Sequence, residues 1–177
     1  MSTTLEILIK EAQGNNRKAQ HSIYQQFSKK MYAICLRYCV SSDEAQDCLQ
    51  ESFIIIFNRI KDFRNEGSFE GWLKRITINT CLNKLKSKNT FFMEFDDYKY
   101  NVVEEEPIDE DFYQMQVDEI YQLMNEMPQQ YKTVFNLYII DEFSHKEIAQ
   151  HLNISEGTSK SNYSRAKEWL KSRILHA

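Results

Sequence analysis

The chain has 177 residues, 42% of them apolar, with a formal net charge of −4 and only 4 Gly and 2 Pro. Average usage would supply about 12 Gly and 9 Pro, so hairpin-rich all-β folds and glycine-loop phosphate or dinucleotide chemistry are excluded and helices are favoured. No apolar run is long enough to span a membrane, and the N-terminus, MSTTLEILIKEAQ, lacks a basic head followed by a long apolar stretch, so neither membrane insertion nor a signal peptide is expected.

Helical periodicity dominates the chain order. Leu5, Leu8, Ile9 and Ala12 mark a short helix that stops near Gly14-Asn15. Ala19, Ile23, Phe27, Met31, Ile34 and Tyr38 step by three or four and mark a long one. Ser41-x-x-Glu44 reads as a capping box opening a helix with Ala45, Leu49, Phe53, Ile56, Phe57 and Ile60. Residues 61–68 form a polar loop, and Ser68 caps a helix with Phe69, Trp72, Leu73, Ile76 and Thr80 inward. Residues 89–110 lose the period and read as a linker. A helix resumes near Phe112 and runs through Val117, Ile120 and Met124, and Pro128 starts another with Val134, Phe135 and Tyr138. Ser144-x-x-Glu147 opens a short helix, Asn153-Ile154-Ser155 turns, and a final helix runs toward Ile174, which is a helix-turn-helix arrangement.

Charge is unevenly spread. Residues 1–90 hold 14 Lys+Arg against 9 Asp+Glu, residues 91–127 hold 1 against 12, and residues 128–177 hold 7 against 5. Two mildly basic blocks therefore flank an acidic segment, a pattern compatible with nucleic acid despite the net charge.

Three faces stand out as candidate sites. On the final helix, Thr158, Tyr163, Ala166 and Leu170 form the inward stripe. The opposite face carries Lys160, Ser161, Asn162, Ser164, Arg165 and Lys167, groups that bind phosphates and base edges, and its plain alternative is a solvated surface. From Gly71 to Thr90 there are five cations (Lys74, Arg75, Lys84, Lys86, Lys88) and no acid, beside Phe63, Phe69 and Trp72. That combination suits single-stranded nucleic acid, although Phe69 and Trp72 read more simply as core. On the third helix, Asp43, Asp47, Gln50 and Glu51 form a polar face beside Phe53, Ile54 and Phe57. The apolar triplet Ile54-Ile55-Ile56 is either deeply buried or docks a partner.

Enzyme chemistry finds no constellation. Cys35 and Cys39, spaced i, i+4, could share a metal, but no Cys or His stands near them in sequence to complete a ligand set. Buried structural thiols, no metal, no cofactor and a reduced cytoplasmic chain are therefore expected.

Taken together, three ordered motifs resemble those of the extracytoplasmic-function (ECF) group of the sigma-70 family of bacterial sigma factors. Asp43-x-Ala45-x-Asp47-x-x-Gln50-Glu51-x-Phe53 resembles the core-polymerase-binding motif. Phe63-Arg64, Ser68-Phe69-x-x-Trp72-Leu73-x-Arg75-Ile76-x-x-Asn79 resembles the promoter-melting and minus-ten segment. Phe143-Ser144-x-x-Glu147-Ile148-Ala149 with Gly157-Thr158-x-Lys160-Ser161-x-x-x-Arg165-Ala166 resembles the minus-35 helix-turn-helix.

The resemblance implies an all-α fold of two small helical domains, 1–88 and 111–177, joined by an acidic flexible linker over 89–110. It implies that Asp43, Asp47, Gln50, Glu51, Phe53, Ile54 and Phe57 meet core RNA polymerase. It further implies that the 61–68 loop, with Arg64, Asn65 and Ser68, holds a base flipped from the minus-ten strand, along which Lys74, Asn79, Asn83, Lys84 and Lys86 lie. Thr158, Lys160, Ser161, Asn162, Ser164, Arg165 and Lys167 would enter the minus-35 major groove. Promoter DNA, core polymerase and an anti-sigma factor are the implied partners, in the cytoplasm and without catalysis. The rival reading is a stand-alone helix-turn-helix regulator with an N-terminal sensing or dimerisation domain. Two departures from the family carry expectations of their own. Glu142 replaces a common Gly, so that turn is expected to avoid a positive φ, and Ser159 replaces the usual aliphatic, which is expected to loosen the last helix.

Overall fold

The structure, a computed structural model, describes residues 4–87 and 123–174, and the chain divides into two compact units, Met1–Ser87 and Lys88–Ala177. The acidic segment 89–110 and the helix expected from Phe112 through Ile120 lie outside the described residues. Every regular element among the described residues is helical, so the fold class is all-α.

The first unit holds α1 (Thr4–Gln13), α2 (Arg17–Tyr38), α3 (Ser42–Arg59), a 3₁₀ turn (Ile60–Asp62) and α4 (Phe69–Ser87). Asn15 takes the left-handed conformation (φ 63°) that ends α1, and the Asn16 side chain then caps α2 by accepting from the N–H groups of Lys18 and Ala19. Ser41 caps α3 by accepting from the Glu44 N–H at 3.2 Å. The reciprocal half of the expected box is displaced by one residue, because the Glu44 carboxylate accepts from the Val40 N–H at 3.1 Å. Ser68 caps α4 through the Gly71 N–H at 3.0 Å.

Helices α2, α3 and α4 pack pairwise, and α1 packs on α2. Helix α4 buries Ile76, Thr77 and Ile78 in succession, so neighbours cover more than half of its circumference there, while Arg75 and Asn79 keep one stripe exposed. The hydroxyls of Ser52, Thr77 and Thr80 are buried at no loss of hydrogen bonding. Each donates to the carbonyl one turn back: Cys48, Leu73 and Ile76, at 2.6, 3.0 and 2.9 Å.

Sequence spacing alone misjudges the cysteines. All four are buried, and the fold brings Cys39 at the end of α2, Cys48 within α3 and Cys81 within α4 to within 4.8 Å of one another at their sulfurs. Cys39 Sγ lies 3.5 Å from Cys48 Sγ, and Cys35 lies close enough to Cys81 to raise its thiol. The sulfurs that were missing near Cys35 and Cys39 in sequence come from two other helices. The hydrogen bond with Cys48 pushes the Cys39 thiol up to about 12, with burial adding to it, and hydrogen bonds to Cys35, Cys39 and Cys48 raise Cys81 as well.

The second unit holds a helical stretch at 123–126, α5 (Gln129–Phe135) continuing into a π-helical turn (Asn136–Ile140), α6 (His145–Leu152) and α7 (Glu156–Ile174). Helix α7 packs on both α5 and α6. A complete capping box between Ser144 and Glu147 opens α6, and Asn153 closes it in the left-handed conformation at φ 57°. Glu142 does not avoid a positive φ. It sits at 58°, because the tight link from the π-helical turn to Ser144 needs a left-handed residue whatever its side chain. A core of Met124, Met127, Phe135, Ala166 and Leu170 joins α5 to α7.

Candidate functional site

Three surfaces correspond to the three faces read from the sequence. On α3, Asp43, Asp47, Gln50, Glu51 and Ile54 are all exposed and recur at helical spacing, forming one continuous strip. Ile54 is 62% exposed at the C-terminal end of those polar groups while Ile56 is fully buried, so the isoleucine triplet is not a deeply buried segment. Phe57 is half-buried at the edge of the strip. Phe53 does not belong to it. It is 3% exposed and packs edge-on against Tyr24 at 4.7 Å and beside Phe57 at 5.7 Å, because the step from Ile54 back to Phe53 turns inward toward α2.

The second surface runs from the 61–68 loop onto α4. Asn65 (φ 62°) and Gly67 (φ 134°) give the loop two left-handed turns, which present Arg64, Asn65 and Ser68 to solvent. Gly67 has open space where a Cβ would stand, so its backbone conformation, not crowding, calls for glycine. The loop entrance is fixed from α1, where Gln13 Nε2 donates to the carbonyls of Ile60 and Phe63 at 3.1 and 3.3 Å. Its exit is fixed by an aromatic cluster of Phe63, Phe69 and Trp72, with ring centroids 5.1 to 5.8 Å apart, against which Phe27 also packs. Phe69 is thus core and Trp72 is half-buried. On α4, Asn79 and Asn83 are exposed, and Lys74, Lys84 and Lys86 are partly exposed.

These two surfaces meet at one contact. Lys84 Nζ lies 3.4 Å from Asp47 Oδ2, so a cation of the α4 face is paired with an acid of the α3 strip. Partial burial lowers the Lys84 ammonium, but Cys48 and the Asp47 carboxylate outweigh it and hold the group above its ordinary value.

The third surface is the outer side of α7. Ser155 caps the helix, accepting from the Thr158 N–H at 2.9 Å and meeting the Thr158 hydroxyl at 2.8 Å. Lys160 is exposed, and Ser161, Ser164, Arg165 and Lys167 are partly exposed, with Lys167 over the Tyr163 ring at 5.1 Å. Asn162 is not on this face. It is 4% exposed and shares the inward side with Ser159, Ala166 and Leu170, while Thr158 is half-buried at its margin. The inward stripe is therefore offset by one residue, because two of its members are polar.

Ser159 does not loosen α7. It is fully buried, and its hydroxyl stands 2.8 Å from His145 Nδ1 at the start of α6. His145 also stacks on Tyr138 with a centroid separation of 4.4 Å. A hydrogen bond thus replaces the expected apolar contact between the two helices of the turn. Gln13 and the His145–Ser159 pair were not legible as site-positioning groups, since each acts across a sequence separation that no local pattern carries.

Among the described residues, no helix is long and apolar enough to cross a membrane. Residues 23–90 match the family Sigma-70 region 2, and residues 117–170 match Sigma-70, region 4. The chain is 28% identical to an ECF RNA polymerase sigma-E factor of Haemophilus influenzae, covering 97% of this chain and 95% of that protein. It is 28% identical to the ECF RNA polymerase sigma factor SigW of Bacillus subtilis, covering 98% of each. Two solved structures share the fold. One is CnrH in complex with the cytosolic domain of CnrY, at TM-score 0.51, 17% identity and 96% coverage of each chain. The other is the sigma factor RpoE in complex with the anti-sigma factor NepR from Bartonella quintana, at TM-score 0.52, 15% identity and 89% and 96% coverage.

Proposed function

We propose a division of labour among these surfaces for a chain that belongs to the extracytoplasmic-function group of the sigma-70 family. As a sigma factor it binds core RNA polymerase and directs it to promoters, and the stand-alone regulator reading is not favoured. The first unit carries the polymerase contact and the minus-ten contact, and the second carries the minus-35 contact.

The observation that carries the polymerase assignment is the α3 strip, where Asp47, Gln50 and Glu51 lead along one face to the 62%-exposed Ile54. An exposed apolar side chain at the end of an acidic and amide strip suits a partner surface that sets an apolar patch beside basic groups. The 61–68 loop receives an unstacked minus-ten base. Base extrusion costs a few kcal/mol, and stacking plus hydrogen bonds to the base edge offset it. Asn79, Asn83, Lys74, Lys84 and Lys86 follow the strand from there. Lys160, Ser161, Ser164, Arg165 and Lys167 of α7 face the minus-35 groove, with Thr158 at its margin. An anti-sigma factor covers the polymerase-facing α3 strip in the resting state. The chain works in the cytoplasm and catalyses nothing itself, since bond formation belongs to the polymerase.

Runoff transcription with purified core polymerase and genomic promoter fragments tests this reading. Wild-type chain should give discrete promoter-dependent transcripts. Asp47→Ala with Gln50→Ala should lower core binding and transcript yield while leaving the helical circular dichroism unchanged. Unaltered co-purification of the double variant with core polymerase removes the α3 strip from the interface.

A further inference from the structure

We propose that Cys39, Cys48 and Cys81, with Cys35 as a fourth donor, form a thiolate site for a single zinc ion where α2, α3 and α4 meet. The chain has only 4 cysteines, and all four are buried in the first unit. Here three helices deliver three sulfurs into one group within 4.8 Å, and Cys35, one turn before Cys39 on α2, lies beside Cys81 outside that group.

The spacing fits one ion. Zinc–sulfur bonds of about 2.3 Å in a tetrahedron place sulfurs about 3.8 Å apart. The 3.5 Å separation of Cys39 and Cys48 and the 4.8 Å limit of the trio bracket that value, so an ion enters with small side-chain adjustments. Among any three cysteines of an iron–sulfur cluster at least two sit on different irons, which sets their sulfurs further apart than in this group. The donor set is sulfur alone, which selects a soft or borderline ion over calcium or magnesium.

Charge and access agree with this reading. Each thiol releases its proton to solvent as the metal–sulfur bond forms. Three thiolates on a divalent ion leave one negative charge and four leave two, and Lys84 lies near enough to Cys48 to interact with it electrostatically. Cys39 closes α2 next to Val40, which is 71% exposed, so the α2–α3 turn offers a route inward. A closed, buried, all-sulfur site is structural rather than catalytic. It would fix Asp47, adjacent to Cys48 on α3, relative to Asn79 and Asn83, which flank Cys81 on α4.

The test is a cobalt titration of the full-length chain, made metal-free and kept anaerobic with a phosphine reductant. One equivalent of Co²⁺ should produce intense near-ultraviolet sulfur-to-cobalt charge transfer and the strong visible bands of a tetrahedral thiolate site, and Zn²⁺ should abolish both. Cys48→Ala and Cys39→Ala should each lose these bands and weaken cobalt binding by at least the roughly 10–100-fold that loss of an outer-shell partner costs. The wild-type titration needs no variant to fold. Absence of charge transfer in helical wild-type protein overturns the proposal. So does weak octahedral absorption that survives the cysteine substitutions. A Cys39–Cys48 disulfide that forms in air at the same rate with and without Zn²⁺ overturns it too, since the thiols would then be a redox pair.

Discussion

In the first unit, the buried hydroxyls of Ser52, Thr77 and Thr80 each donate to a carbonyl on their own helix, one turn back. In the second unit, His145 of α6 meets Ser159 of α7 at 2.8 Å, and the buried Lys132 of α5 reaches Asn125 at 2.9 Å. A hydroxyl satisfied within its own turn behaves toward neighbouring helices as a small apolar group, so the apolar period of the sequence still marks the core. A polar group satisfied across two elements puts a polar residue on the inward face, and the period then points to the wrong side.

The largest effect that sharpens this contrast lies in the first unit. Phe53→Ala should destabilise it by about 3–5 kcal/mol in a chemical denaturation curve, as for other buried aromatic truncations. Its neighbour Ile54→Ala should change stability by less than about 0.5 kcal/mol while weakening co-purification with core polymerase. Equal stability losses would mean that the α3 strip is ordinary core surface.

Next in size is the inter-helix pair. Ser159→Ala removes the hydroxyl that His145 Nδ1 faces and should cost the second unit about 1–3 kcal/mol. Replacing both partners by apolar residues, His145→Leu with Ser159→Val, should recover most of that loss. Thr77→Val in the first unit should cost less than about 1 kcal/mol, because its carbonyl partner is already bonded within the helix. If Thr77→Val and Ser159→Ala shift the denaturation midpoint equally, the contrast between the units fails.

On α7, Asn162→Ala should lower stability and reduce transcription from all promoters alike. At least one of Lys160→Ala and Arg165→Ala should instead relax a single minus-35 position by about 1–3 kcal/mol, scored on a randomised minus-35 library. Wild-type ranking and yield for both cationic variants would remove α7 from the groove. The smallest effect concerns Glu142, whose φ of 58° costs a residue with a Cβ about 1–2 kcal/mol. Glu142→Gly removes that strain but adds freedom to the unfolded chain, so a net gain of no more than about 1 kcal/mol is expected from thermal melts.

The helices themselves were legible, since apolar spacing marks them, Pro128 announces α5, and the caps Ser41, Ser68, Ser144 and Ser155 stand in the sequence, whereas the Asn16 cap of α2 went unread. The α3 strip and the outer cations of α7 were legible for the same reason, because exposed faces complement a periodic core. Phe53 and Asn162 were misassigned because a motif records which residues recur together without recording which way each one points. The convergence of Cys39, Cys48 and Cys81 from three helices, over separations of 9 to 42 residues, and the reach of Gln13 across 47 and 50 residues to the carbonyls of Ile60 and Phe63, are products of packing. No local spacing encodes them.

The Asp47–Lys84 contact, with Lys84 27% and Asp47 72% exposed at the side chain, joins the surface assigned to protein with the surface assigned to nucleic acid. A strand phosphate that captures Lys84 leaves Asp47 free for a basic partner, and a partner that captures Asp47 releases Lys84. Binding on one side therefore favours binding on the other, and thermodynamic linkage makes the two effects equal. A solvent-exposed ion pair is worth at most about 1 kcal/mol, which caps this reciprocal gain at about fivefold. A coupling of that size is small for a switch, yet it makes the complete assembly tighter than independent binding of the polymerase and the strand would give.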